Sequence, residues 1–116
     1  MSHVSGVVSL PMRAEVLKGH LDGLLLAALA SGPQHGYAVI DLLRNKSDGA
    51  FELPTGTIYP ALHRLERAGL VTGSWLDTRP RPRRVYKLTA AGRRALVDSR
   101  AVWARFSTAV SAVLDS

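Results

Sequence analysis

The chain predicts a mainly α fold with a small antiparallel β wing: a winged helix-turn-helix carrying a long C-terminal dimerisation helix. Three observations lead there. Leu53 to Val71 reads as a short exposed helix with one apolar face and one face of hydroxyls, a histidine and two arginines, closed by Gly69. Two alternating runs, Leu70–Leu76 and Arg84–Leu88, flank a loop with a basic tip. A last segment from Ala90 to about Leu114 places apolar residues in steps of three and four.

Taken in order, residues 1–11 show no helical period and read as a flexible N-terminal arm. Residues 12–88 hold the winged helix-turn-helix, and 89–116 the C-terminal helix. Leu17, Leu21, Leu24, Leu25 and Leu29 predict a first helix from Met12 to Ala30, stopped by Ser31-Gly32-Pro33. Gly19 and Gly23 lie four apart on it, on one face that admits a close neighbour. Gly36 to Lys46 predicts a second helix with Tyr37, Ile40 and Leu43 on one stripe, followed by an Asp48-Gly49 turn. Phe51-Glu52-Leu53 alternates as a short strand.

The third helix is constrained by Pro60. With Thr57 as N-cap, Pro60 occupies the third helical position, where its missing N–H costs nothing. A start at Thr55 sets Pro60 deeper and leaves the Gly56 carbonyl unpaired. The later start, or an irregular first turn, is expected. Ile58, Leu62 and Leu65 face the core; Thr57, His63, Arg64 and Arg67 face out. The loop 77–83 contains Pro80 and Pro82 and is too rich in proline to pair. Thr89 caps the last helix.

That helix spans roughly 37 Å at 1.5 Å per residue, longer than the body of so small a domain. Its seam, Leu96, Ser99, Trp103, Phe106, Val110 and Val113, predicts homodimerisation, with the glycines of the first helix near the interface. Folding back onto the first helix is the competing arrangement.

Composition narrows the function. The chain has 116 residues and is 47% hydrophobic, as expected of one folded domain. It contains no cysteine, which excludes disulfides and thiolate zinc sites. The longest apolar stretch, Leu24–Ala30, is too short for a bilayer, and no basic residue precedes Arg13, so a cytoplasmic, nucleoid-associated location is expected. Residues 57–94 hold nine Lys or Arg against two acids, a net +7, while the remainder holds six against seven. Such a footprint favours a polyanion. His3, His20, His35 and His63 have no ligand spacing, and no nucleophile elbow or phosphate-binding loop is present. No catalytic residue, metal or cofactor is expected.

The candidate contacts to double-stranded DNA are Tyr37, Thr55, Thr57, Tyr59, His63, Arg64, Arg67, Arg79, Arg81, Arg83 and Arg84. Hydroxyls at Thr55 and Thr57 suit phosphates or base edges, or capping. Tyr59 reads equally as a DNA contact and as core. Arg64 suits bidentate readout of guanine, and Arg67, a turn later, suits phosphate. The four wing arginines suit the minor groove or its phosphates, with Arg84 belonging alternatively to the strand. Tyr37 suits phosphate or burial. Trp103 reads most simply as dimer core, and Trp75 as packing.

Several of these residues together resemble a known family. His35-Gly36-Tyr37-Ala38-Val39-Ile40 opens the second helix, and Gly56-Thr57-Ile58-Tyr59-Pro60-Ala61-Leu62-His63-Arg64-Leu65-Glu66 forms the third, ending in Gly69-Leu70-Val71. Arg83-Arg84-Val85-Tyr86-Lys87-Leu88-Thr89 returns from the wing, with Gly92 three residues on. This set resembles the PadR family of winged-helix transcriptional regulators in its short form with one C-terminal helix. Gly-Thr-Ile-Tyr-Pro is its specific part; the Pro-interrupted wing departs from the usual Gly-rich tip. The resemblance implies a homodimeric repressor on an inverted repeat, released by a small aromatic or hydrophobic effector stacked on Trp103. An alternative is a dimeric protein-interaction module that does not bind DNA.

Overall fold

The computed structural model describes Leu17, residues 19–77 and residues 79–116. The expected arm, 1–11, and the expected helix start at Met12 lie outside these. Four helices and three strands follow: α1 (Leu21–Ala28), β1 (Gln34–His35), α2 (Gly36–Lys46), α3 (Thr55–Arg67), β2 (Val71–Leu76), β3 (Arg83–Leu88) and α4 (Ala90–Leu114). The predicted fold class is the observed one.

The first helix is not continuous across Gly19. That residue has φ +90°, and the His20 N–H donates to the Leu17 carbonyl at 2.8 Å, so the chain turns before α1 begins. Glycine reaches this conformation without a Cβ clash. The two glycines therefore do different things. Gly23 is the packing glycine: a Cβ there would lie 3.2 Å from Ser99 on α4.

Helix α2 is capped by His35, whose Nδ1 accepts the Ala38 N–H at 3.3 Å. Its buried stripe is Gly36, Val39 and Leu43, sharing Leu43 with the predicted one; Ile40 is partly buried and Tyr37 is 62% exposed. The Asp48-Gly49 turn appears as expected, with Asp48 at φ 54° and the Gly49 N–H donating to the Arg44 carbonyl at 2.8 Å. Residues 51–53 are not a strand. The Phe51 N–H is taken by Ser47 Oγ at 2.8 Å, and Leu53 turns into the core.

Gln34–His35 instead supplies the third strand of a sheet ordered β1-β3-β2, antiparallel throughout. Gln34 pairs with Tyr86 and His35 with Val85, while β2 and β3 pair from Val71–Leu88 to Leu76–Arg83. A two-residue strand carries too little alternation to register in a sequence.

Helix α3 starts at Thr55 with Pro54 as N-cap, three residues before the preferred cap at Thr57. The Pro54 carbonyl accepts from both Thr57 (2.9 Å) and Ile58 (3.1 Å), which satisfies the first turn without a Thr57 cap. Pro60 is consequently interior. The Gly56 carbonyl loses the partner that position 60 ordinarily supplies, at a site exposed to solvent. The helix closes as read, through Gly69 at φ +78°. The Leu70 N–H bonds to Leu65 O and the Gly69 N–H to Glu66 O, both at 3.0 Å.

The core joins Leu25, Leu26 and Leu29 of the first helical region to Val39 and Leu43, to Ile58, Leu62 and Leu65, and to Val71, Tyr86, Leu88 and Leu96. Thr89 fixes the start of α4 against the sheet. Its hydroxyl accepts from the Gly92 N–H (2.9 Å) and donates to the Gly69 carbonyl (2.7 Å), while its N–H reaches Leu70 O (3.1 Å). A Cβ on Gly92 would sit 1.9 Å from that same Leu70 oxygen, so only glycine fits.

Helix α4 folds back in part onto the first helical region, the arrangement that competed with dimerisation in the sequence. Its first half packs on the domain through Leu96 and the Gly23–Ser99 crossing. Its second half is mostly exposed, with Trp103 and Phe106 resting against His20, and the molecule's long axis is 53 Å.

Candidate nucleic-acid interface

Helix α3 presents three distinct surfaces. Ile58, Ala61, Leu62 and Leu65 are buried beneath it. Gly56, Pro60, His63 and Arg67 fall on the outermost face, and all four are exposed. The flanks are tied to the rest of the domain. On one flank Thr57 is half-buried, less outward than its spacing implied, and Arg64 pairs with Asp22 of α1. On the other flank lie Tyr59, against α2, and Glu66, against the wing.

Tyr59 explains a glycine. A Cβ on Gly36 would lie 2.4 Å from the Tyr59 ring, so the Gly-Tyr pair opening α2 and the Tyr-Pro pair in α3 are two halves of one contact. Tyr37 meets the same ring edge-on at 6.3 Å. Burial pushes the Tyr59 phenol above its ordinary pKa, helped by Tyr37 and Tyr86, while nearby Arg83 opposes the rise. Tyr59 is thus at once packed and close to the charged surface. Exposed Tyr37 is not in the core.

Glu66 binds the wing to α3. One carboxylate oxygen accepts from Arg84 Nη2 at 2.6 Å and from the Gly73 N–H at 3.3 Å, engaging both strands. The Arg84 guanidinium also lies over Trp75 (5.5 Å) and Tyr86 (5.9 Å). It covers Gly73 so closely that a Cβ there would meet it at 2.9 Å. Of the two readings of Arg84, the strand-bound one describes this geometry. Trp75 is 66% exposed, carrying Arg84 on its face, and is not the buried packing residue its strand position suggested. Tyr86 is buried, which raises its phenol pKa; Arg84, by charge and hydrogen bond, pulls the other way.

Arg79 and Arg81 are exposed on the loop between β2 and β3, and Arg83 is exposed at the start of β3. Arg83 Nη1 lies 3.1 Å from His35 Nε2. Arg67, Arg79 and Arg83 have no carboxylate partner among the described residues. Thr55 is exposed at the first position of α3, beside the outer face. Of the sequence-predicted set, Arg64 and Arg84 are held by carboxylates, Tyr59 packs on Gly36, and α3 is joined to the wing strands through Glu66.

Helix α4 carries a second surface. Leu96 is buried and Ser99 half-buried, but Trp103 and Phe106 are 54% and 51% exposed, and Val110 is half-buried. Their rings touch each other at 6.0 Å and meet His20, at 5.5 Å for Trp103 and 6.0 Å for Phe106. Sequence reasoning missed four participants here: Asp22, His35, Glu66 and His20. Each acts across the fold, and only the His35-Gly36 pairing hints at a cap.

Among the described residues no group of three or more His, Cys, Asp or Glu is placed to hold a metal, and no described helix is long and apolar enough to cross a membrane. Residues 25–98 match the Transcriptional regulator PadR-like family. A Mycobacterium tuberculosis protein, transcriptional regulator Rv3488, is 42% identical over 59 residues, covering 51% of this chain and 55% of that protein. A PadR family transcriptional regulator from Eggerthella lenta is 30% identical, with 88% of each chain covered and a TM-score of 0.75. A PadR-like regulator from Bacillus cereus is 26% identical, covering 89% of this chain and 99% of that one, with a TM-score of 0.77.

Proposed function

The chain belongs to the PadR-like family of transcriptional regulators, and on that premise we propose that it binds an inverted-repeat DNA site as a homodimer and represses transcription until a small aromatic or hydrophobic effector releases it. One observation carries the reading. Helix α3, with its exposed His63 and Arg67, is tied to both strands of the arginine-bearing wing by Glu66. A helix and a hairpin locked in fixed relation suit a major groove and the backbone beside it.

Division of labour follows from the contacts. His63 and Arg67 project toward base edges and phosphates, with Thr55, Thr57 and Tyr59 beside them. Arg64 reads bases only by leaving or sharing Asp22. Arg79, Arg81 and Arg83 hold the backbone or the minor groove. Arg84 positions the wing, and Tyr37 approaches phosphate at the start of α2.

Dimerisation is supported by the half-exposed rings on α4. A twofold axis there makes the two reading helices equivalent, so the operator is a repeat with half-sites about 34–36 Å apart or a multiple of that. An effector at Trp103 shifts DNA binding only as far as it prefers the DNA-free arrangement of the two heads.

Binding to duplexes from the chain's own upstream region, followed across salt, tests the core of this reading. Steep weakening with salt and preference over random duplex are expected. Tight binding to no duplex returns the protein to the alternative of an interaction module. The effector is tested by titrating flat phenolic compounds into a Trp75→Phe variant while following Trp103 fluorescence and DNA affinity together.

A further inference from the structure

His35 has two jobs that one neutral imidazole cannot do alone. It pairs with Val85 in the sheet, which sets it diagonally beside Arg83 on the neighbouring strand. Its Nδ1 accepts the Ala38 N–H as the N-cap of α2. A neutral imidazole carries a single proton, so accepting at Nδ1 places that proton on Nε2. Yet Nε2 is the atom lying 3.1 Å from Arg83 Nη1. Arginine stays protonated at any physiological pH and only donates.

In the tautomer that the cap selects, two N–H donors converge at hydrogen-bond distance with neither able to accept. Among the described residues, neither of these nitrogens has a carboxylate or carbonyl partner. Tyr59, whose ring packs on Gly36 next to His35, lies within electrostatic reach of Arg83. An oxygen anion bridging both nitrogens would satisfy each donor and relieve their mutual repulsion. We infer that His35 Nε2–H and the Arg83 guanidinium together grip one phosphate of the DNA backbone, fixing the register of α3 in the groove. The inference rests on the DNA-binding reading and adds to it a residue, His35, and a shared ligand. A phosphate contact carries no base information, so it positions and does not discriminate.

The test uses the full chain and a mixed-sequence duplex at low salt, because phosphate contacts are independent of sequence. His35→Asn keeps the cap, since the Asn side-chain oxygen accepts from the third helical N–H, but it has no donor long enough to reach Arg83's phosphate. It should melt like the unmutated chain and bind the duplex about fivefold more weakly. Arg83→Ala should lose about tenfold and lower the salt slope by about 1 for each protomer bound. The double variant should bind much as Arg83→Ala alone, because both side chains serve one phosphate. Unchanged affinity in His35→Asn, or losses that multiply in the double variant, would overturn the inference. If the unmutated chain binds no duplex at all, the DNA reading itself falls, and this one with it. Long-range proton–nitrogen NMR of the unmutated chain gives a measurement independent of any variant's folding. It should find the His35 proton on Nε2, with that resonance shifting as duplex is added; a proton on Nδ1 would refute the geometry.

Discussion

Replacing both Trp103 and Phe106 by Ala should convert a dimer into a largely monomeric protein while leaving the domain folded. The two rings are 54% and 51% exposed and stand next to each other on α4, each with one side against His20. An aromatic side chain buries roughly 150–250 Å² when fully covered, so up to about 100–130 Å² on each remains to be covered. At about 25 cal/mol per Å² that amounts to about 2.5–3 kcal/mol per ring. Twofold symmetry doubles the count, to about 10–12 kcal/mol for four rings, as an upper bound against which the entropy of association works. If only a third survives, about 4 kcal/mol, the dissociation constant rises about a thousandfold on truncation. Sedimentation equilibrium over a dilution series reads this directly. The melting temperature should become less dependent on protein concentration in the variant, as linkage requires once association is lost. Leu96 and the Gly23–Ser99 crossing hold the first half of α4, so far-UV circular dichroism should change little. A monomeric unmutated chain at micromolar concentration, or an unaltered dissociation constant in the variant, would refute the reasoning.

Asp22→Asn should strengthen DNA binding, because it frees Arg64 from an ion pair on the helix flank; the exposed pair itself contributes at most about 1 kcal/mol to folding, so melting should barely move. Equal DNA affinity before and after would show that Arg64 is a structural tether. Arg84→Ala should cost about 1–3 kcal/mol of stability, since it leaves the partly buried Glu66 carboxylate with only the Gly73 N–H. The companion Glu66→Gln should be milder, and a double-mutant cycle by denaturant melts checks the coupling. Gly92→Ala should destabilise by several kcal/mol, because its Cβ would overlap the Leu70 oxygen that also receives the Thr89 N–H. Urea titration measures it, and a change under about 1 kcal/mol would mean the α4–sheet junction can shift freely.

Much of this protein was legible in its sequence because the signals are local. The period of Ile58, Leu62 and Leu65, the left-handed glycine at 69, the Thr89 cap and the Asp48-Gly49 turn each depend on a few neighbouring residues, and each appears where read. Charge density pointed to a polyanion for the same reason, since it needs only a count. What the tertiary structure decided is everything that joins distant segments. Gln34–His35 became a strand because β3 offered it an edge, not because two residues alternate. Pro54 became the cap of α3 because its carbonyl met two N–H groups, which moved Pro60 inside the helix. Arg64 and Arg84, alike as arginines on a basic surface, diverged from Arg67 only when Asp22 and Glu66 arrived beside two of them. A residue's type and spacing set which face it takes, but whether a charge on that face is held or available depends on an oppositely charged group up to 42 residues away, and chain folding alone brings the two within reach.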